Sequence, residues 1–298
     1  MGKIWRSDRV KALCEKMGIS SPERVIVQMA SQLVQAGKQN TPPVSLETLA
    51  TIRGIREIRK VSLTIDGYIT PAESGYVVYV NSQQPFTRQR FSIAHEIAHT
   101  FFFEAAGVQE RHRAAEPPTD SLHIDSEEEA LCNKAAAEIL MPYGLFKDEL
   151  RTKRLVARTI VELATVFQVS IRAAARRYCE MTERRFLLLA LKRVALPEGT
   201  RGLALDWSEK PGHVRASPPK SLLVPESAPL FQTVDKDGFF TGRQSLALGG
   251  QSEEYFVDAV DVAYASRTTT IALVVLEPHP EVAIRTWALS DPQFRLVG

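Results

Sequence analysis

His95, Glu96 and His99 carry the spacing His-Glu-X-X-His inside the run Arg90-Phe91-Ser92-Ile93-Ala94-His95-Glu96-Ile97-Ala98-His99-Thr100-Phe101-Phe102, which reads as one continuous helix. Residues four apart on a helix stand one turn above each other on the same face, so both imidazoles can bind one Zn²⁺ while Glu96 projects beside it. The chemistry this spacing serves is metal-assisted peptide hydrolysis, in which a carboxylate acts as general base toward an activated water that attacks a polarised carbonyl. Phe91, Ile93, Ala94, Ile97, Ala98, Phe101 and Phe102 surround the motif, so the histidines must be substantially buried, and buried imidazoles need partners. The plainer alternative is a pair of core histidines satisfied by hydrogen bonds.

A catalytic zinc takes three protein ligands and keeps one position open, so a further His, Glu or Asp is needed downstream. The extended motif that ends in a third histidine requires Gly at 102 and His at 105; Phe102 and Ala105 exclude it. The segment Ser126-Glu127-Glu128-Glu129-Ala130-Leu131-Cys132-Asn133 reads as a helix offering Glu128 and Glu129, and spacing alone does not choose between them. Glu129 has a competing role, because Ser126 followed three residues later by Glu is a capping-box pattern. His112 and His123, in a polar loop, are alternative ligands or transition-state donors, although a solvated loop histidine is the plainer reading.

These residues need elements to hold them. A helical pattern runs over residues 3–37, Asn40-Thr41-Pro42-Pro43 breaks it, and a short helix capped by Ser45 follows to Ile52. Ile58 to Ile65 and Tyr76 to Asn81 are β-rich and separated by turn signals at Asp66-Gly67 and Ser74-Gly75, so two or three strands precede the motif helix. Behind it come a polar loop over 104–125 and an alanine-rich helix from Ser126 to about Leu140, stopped at Met141-Pro142. Leu150 to Lys192 reads as helical and basic, with eleven Lys and Arg against three Asp and Glu over 151–193. Inside it, 161–178 resembles a helix-turn-helix with Ser170 capping the second helix; docked on DNA, Arg172, Arg176 and Arg177 would contact phosphates or base edges in the major groove. The alternative is a helical pair that completes the peptidase domain, its arginines a solvated face. From Ala195 onward the signal is strands, including Tyr255 to Ala265 and Thr269 to Glu277.

Composition bounds the rest. The chain has 298 residues, 44% hydrophobic and 24% charged, ordinary globular usage with room for two or three domains. Its longest apolar runs, Phe186 to Leu191 and Ile271 to Leu276, are too short to span a bilayer, and the N-terminus shows no apolar signal core. Cys14, Cys132 and Cys179 are odd in number and far apart, which speaks against a disulfide framework and for a cytoplasmic setting. A net charge of +2 is too small to imply nucleic-acid binding by the chain as a whole.

Taken together, Val80-Asn81-Ser82, Arg88 to His99, Glu129-Ala130-Leu131-Cys132-Asn133 and Leu140-Met141-Pro142 resemble the ImmA/IrrE family of metallopeptidases over roughly residues 40–185. The resemblance implies Glu129 as the third zinc ligand, since in that family the glutamate four residues before the Asn serves. It also implies a zinc endopeptidase that cleaves a helix-turn-helix repressor to release DNA-damage, mobile-element or phage-defence genes. Some relatives carry a C-terminal GAF-like sensor domain, with which the strand-rich tail is compatible. The expected fold is α+β, divided as a zincin-like metallopeptidase domain over 1–147, a basic helix-turn-helix-like segment over 148–193, and a strand-rich domain over 194–298. His95, His99 and Glu129 are the expected ligands and Glu96 the base; the donor set leaves manganese open in place of zinc. DNA is a second candidate partner and no membrane is expected. The alternative function is a DNA-binding or sensor protein whose metal is structural or vestigial; the intact Glu96 weighs against it.

Overall fold

The computed structural model of the protein describes residues 5–105, 125–248, 252–264 and 267–277. The chain divides into two compact units: residues through Phe146 together with Val166–Ser170, and Lys147–Thr165 together with the chain from Ile171 onward. The sheets fall one to each unit.

The first unit opens with α1 (Asp8–Met17) and α2 (Pro22–Ala36) where the sequence suggests one helical stretch. The apolar periodicity runs through both, but Gly18 takes the left-handed conformation at φ 65° and Pro22 restarts the helix with its φ already set. In α3 (Leu46–Ile52) the Ser45 hydroxyl accepts the Thr48 amide at 3.2 Å. A three-stranded sheet follows in the order β1 (Ile55–Val61), β3 (Gly75–Asn81), β2 (Gly67–Ala72), with β1 parallel and β2 antiparallel to β3. β1 starts and ends earlier than the strand expected over 58–65. Asn81 draws the chain out of the ladder beyond Val61, because its Nδ2 donates to the Leu63 carbonyl at 2.8 Å. At the β2–β3 turn, Gly75 has φ 110° and a Cβ there would run into the Gly54 carbonyl, so only glycine fits.

Helix α4 (Phe86–Ala105) carries the motif through the middle of this unit and packs on α5 (Ser126–Leu140), with α1 and α2 also against the pair. Ala94, Ala98, Ala135 and Ala136 are fully buried, and their small side chains let helices approach closely. Ile97, Phe101, Phe102, Leu131 and Ile139 fill the surrounding core. Burial of this order, roughly 25 cal/mol per Å² of apolar surface removed from water, fixes α4 against α5 and with it the side chains each presents.

After α6 (Tyr143–Leu150), α7 (Ala157–Phe167) and α8 (Ile171–Glu180) are joined by Gln168–Ser170, with Gln168 left-handed at φ 53°. The chain then enters β4 (Phe186–Ala195). The helical reading of 150–192 is therefore corrected at its end: Phe186 to Leu191 is a strand buried at every position, and an unbroken apolar run carries no period by which to tell it from a buried helix. β4 also runs across the boundary expected at 193/194. It joins β5 (Arg201–Glu209), β6 (Leu223–Pro225), β7 (Phe239–Ala247), β8 (Ser252–Tyr264) and β9 (Arg267–Val275) in an antiparallel sheet of order β6-β5-β4-β9-β8-β7. Helix α9 (Pro229–Asp237) sends Leu230, Phe231 and Val234 into a core with Leu187, Leu189, Val257, Ala272 and Val274. Among the described residues no helix is long and apolar enough to cross a membrane.

Candidate metal centre

The spacing of α4 puts His95 and His99 one turn apart, and the packing of α5 brings a carboxylate to them. His95 Nε2 and His99 Nε2 lie 3.2 Å apart, and the two Glu129 oxygens reach them at 3.1 and 3.3 Å. A tetrahedral ion bound at about 2.0–2.1 Å needs donor atoms about 3.3–3.4 Å apart, close to these separations. The orientation of the rings says the same. His95 Nδ1 donates to Asn133 Oδ1 at 3.1 Å and His99 Nδ1 donates to Glu128 Oε1 at 2.8 Å, which leaves both Nε2 atoms with lone pairs facing an ionised Glu129. Three acceptors at that spacing repel one another unless a cation lies between them, so the donor set fits a divalent metal.

The charges point the same way. With no ion bound and the rings protonated, hydrogen bonds from His95 and then His99 hold the Glu129 carboxyl well below the usual carboxylate range. Burial works against a charge on His99, yet its contacts with Cys132, Glu128 and Glu129 outweigh it and raise its proton affinity. A pocket that attracts a proton in this way attracts a metal ion by the same negative surroundings, and the two compete.

Glu128 and Glu129, which spacing left equivalent, have different places. Glu129 is 36% exposed and faces the Nε2 atoms; Glu128 is 4% exposed and stands behind His99. His99, Glu128 and Cys132 form a second cluster of donors, but one Glu128 oxygen takes the His99 Nδ1 proton and the other takes Arg9 Nη1 at 3.0 Å. A cation there would meet the Arg9 guanidinium, so Glu128 serves as the outer partner of His99. The capping-box role considered for Glu129 is corrected too: Asp125 caps α5, accepting the Glu127 and Glu128 amides at 3.0 and 3.2 Å, which leaves Glu129 to turn inward. Sequence reasoning offered Glu128 as an alternative ligand and Asn133 as part of a motif, and gave neither a role as the Nδ1 partner of a histidine. Glu128 stands one position before Glu129 and Asn133 four after it among the other polar residues of α5, Ser126, Glu127, Lys134 and Glu138, so composition and spacing alone do not mark their role.

Glu96 is nearly buried on α4, and burial pushes its carboxyl up, partly offset by His99 and His95. Strand β2 passes beside it: a Cβ on Gly67 would lie 3.7 Å from Glu96 Oε1 and 2.8 Å from the Tyr79 carbonyl oxygen. Glycine at 67 thus allows β2 close to the Tyr79 carbonyl of β3, while the Glu96 contact would be an ordinary one.

The other expected site residues lie elsewhere. Arg172 Nε and Arg176 Nη2 share Glu209 Oε1 at 2.9 and 3.3 Å, with the Arg172 guanidinium 5.7 Å from the centre of the Trp207 ring. Arg177 is 11% exposed and 3.5 Å from Glu180. All three belong to the second unit and the histidine pair to the first. His112 and His123 lie outside the described residues.

Comparison with known proteins bears on the same segment. Residues 55–178 match the profile of peptidase family M78, the IrrE N-terminal-like domain. Residues 55–178 belong to the ImmA/IrrE family. The IrrE-like segment is similar to the radiation response metalloprotease IrrE of Deinococcus deserti, 32% identical over 117 residues, which is 39% of this chain and 40% of that protein. It is similar also to the radiation response metalloprotease IrrE of Deinococcus radiodurans, 33% identical over 118 residues, 39% of this chain and 34% of that one. The IrrE-like match thus spans about two fifths or less of these relatives' length. A solved Mycobacterium tuberculosis transcriptional regulator aligns over 97% of this chain and 86% of its own at 13% identity and a TM-score of 0.50, a likeness of fold alone.

Proposed function

We propose that the chain is a zinc-dependent endopeptidase that cleaves a helix-turn-helix transcriptional repressor. The observation that carries the reading is the convergence of His95 Nε2, His99 Nε2 and Glu129 within 3.1–3.3 Å, with Glu96 alongside on the same helix. His95, His99 and Glu129 would hold the ion, with manganese a substitute these donors also accept. A bound zinc would supply Lewis acidity toward a water and a peptide carbonyl. Glu96 takes the proton of the attacking water and returns it to the leaving amine, so one carboxylate serves both halves of the reaction. Glu128 and Asn133 hold the two rings with Nε2 inward. Strand β2 pairs only with β3 among the described strands, so beside Glu96 an extended polypeptide has an edge to align on.

A repressor as substrate is supported by the resemblance to a family of regulatory proteases, and by relatives named as radiation response metalloproteases. Derepression of stress-response, mobile-element or phage-defence genes would follow from its cleavage. The second unit, a six-stranded antiparallel sheet with α9 packed on it, is read as a GAF-like sensor module on architecture alone.

Glu96→Gln tests the mechanism. It keeps the ligands and removes the proton acceptor, so the variant is expected to bind zinc as wild type does and to leave the repressor intact. Cleavage at the wild-type rate by Glu96→Gln would refute it.

A further inference from the structure

The N-terminal helix lies outside the segment that matches the family, yet it reaches the metal centre. The Arg6 and Ser7 amides both donate to Glu127 Oε2 at 2.8 Å, and the Ser7 hydroxyl bonds Asp125, so residues 6 and 7 grip the first turn of α5. Two residues on, Arg9 Nη1 donates to Glu128 Oε2 at 3.0 Å while its guanidinium carbon stands 5.8 Å from the centre of the Phe103 ring, four residues beyond His99 on α4. The other Glu128 oxygen accepts from His99 Nδ1.

We infer that Arg9 is a positioning residue for the metal centre, acting through Glu128 on His99. Glu128 is almost wholly buried beside an imidazole, and a buried carboxylate needs its second oxygen satisfied as well as its first. Arg9 supplies that partner and fixes the rotation of the carboxylate plane. The carboxylate in turn holds the Nδ1 proton and aims the Nε2 lone pair at the site. The bond from Arg9 uses one nitrogen only, so a lysine of sufficient reach can replace it. A chain without this segment would keep all three donor residues and lose part of the order among them.

The inference rests on the reading of His95, His99 and Glu129 as metal ligands, and the test keeps the two apart. Zinc affinity of the full chain is measured by competition with a chromogenic chelator for wild type, Arg9→Ala, Arg9→Lys, Glu128→Gln and the Arg9→Ala/Glu128→Gln pair, with circular dichroism of each to show that it is folded. Glu128→Gln is expected to weaken zinc binding about 10–100-fold, as for other outer partners of metal-bound histidines, and Arg9→Ala by up to about tenfold. Arg9→Lys should recover most of the Arg9→Ala loss, and Arg9→Ala should add nothing in the Glu128→Gln background. Wild-type affinity in Arg9→Ala, or the same loss whether or not Glu128 is present, would overturn the inference. Absence of stoichiometric zinc in the wild type would instead overturn the ligand assignment beneath it.

Discussion

Two adjacent glutamates on one helical turn meet different nitrogens of the histidine pair, and the division is set by which ring nitrogen each can reach. Glu129 meets the Nε2 atoms and Glu128 meets His99 Nδ1. Removing Asn133, the partner of His95 Nδ1, should therefore lower zinc affinity without removing a ligand; Asn133→Ala is expected to bind zinc about 10–100-fold more weakly in chelator competition. An unchanged affinity would mean that the α4 packing alone orients His95. The closeness of His95 and His99 was legible in the sequence because helical spacing by itself fixes their common face. The choice between Glu128 and Glu129 was not, because both stand at the start of α5 and only its packing on α4 tells them apart; the family resemblance pointed to Glu129. Arg9 was illegible for a similar reason, being 119 residues from its partner.

At the scale of elements, helix ends were read where a local side chain marks them and misread where the mark comes from afar. Ser45 announced α3, whereas the first amide of α7, that of Ala157, is taken by Asp258 on β8 at 2.7 Å, a partner no local pattern reveals. The same carboxylate accepts from Thr241 at 2.8 Å, tying α7, β7 and β8 together. Asp258→Ala should lower stability by about 1–3 kcal/mol in denaturant unfolding, since it strands a backbone amide and a hydroxyl. Burial pushes the Asp258 carboxyl above its ordinary value of 3.8 despite the hydrogen bonds from Ala157 and Thr241. The folded state then holds this proton at a pH where the unfolded chain has released it, so this group's contribution to stability falls as pH rises through that window. Asp258→Asn, which cannot ionise, should gain on wild type between pH 3 and neutrality; a constant difference across that range would show that burial does not govern the group. Likewise Glu209, which pairs with Arg172 and Arg176 of α8, lies on a strand the sequence placed in another domain.

Across the whole molecule, the order of elements in the first unit was legible because capping residues, glycines and a strong helical period punctuate it. The division into units was less so, since β4 carries no period and its pairing with β5 and β9 joins segments far apart in sequence. A metal that binds the folded state alone stabilises it by mass action, about 2.7 kcal/mol at a free concentration 100 times the dissociation constant. Thermal unfolding of the full chain should therefore shift upward in zinc relative to chelator, and Glu129→Ala should abolish the shift; an equal shift in that variant would place the stabilising ion elsewhere. The most direct test of the central claim is the zinc content of the purified full-length chain, measured by elemental mass spectrometry for wild type, Glu129→Ala and Glu128→Ala in one buffer. About one zinc per chain in wild type, marked loss in Glu129→Ala and partial retention in Glu128→Ala is the expected result. Zinc undiminished in Glu129→Ala, or no zinc in the wild type after reconstitution, would contradict the account.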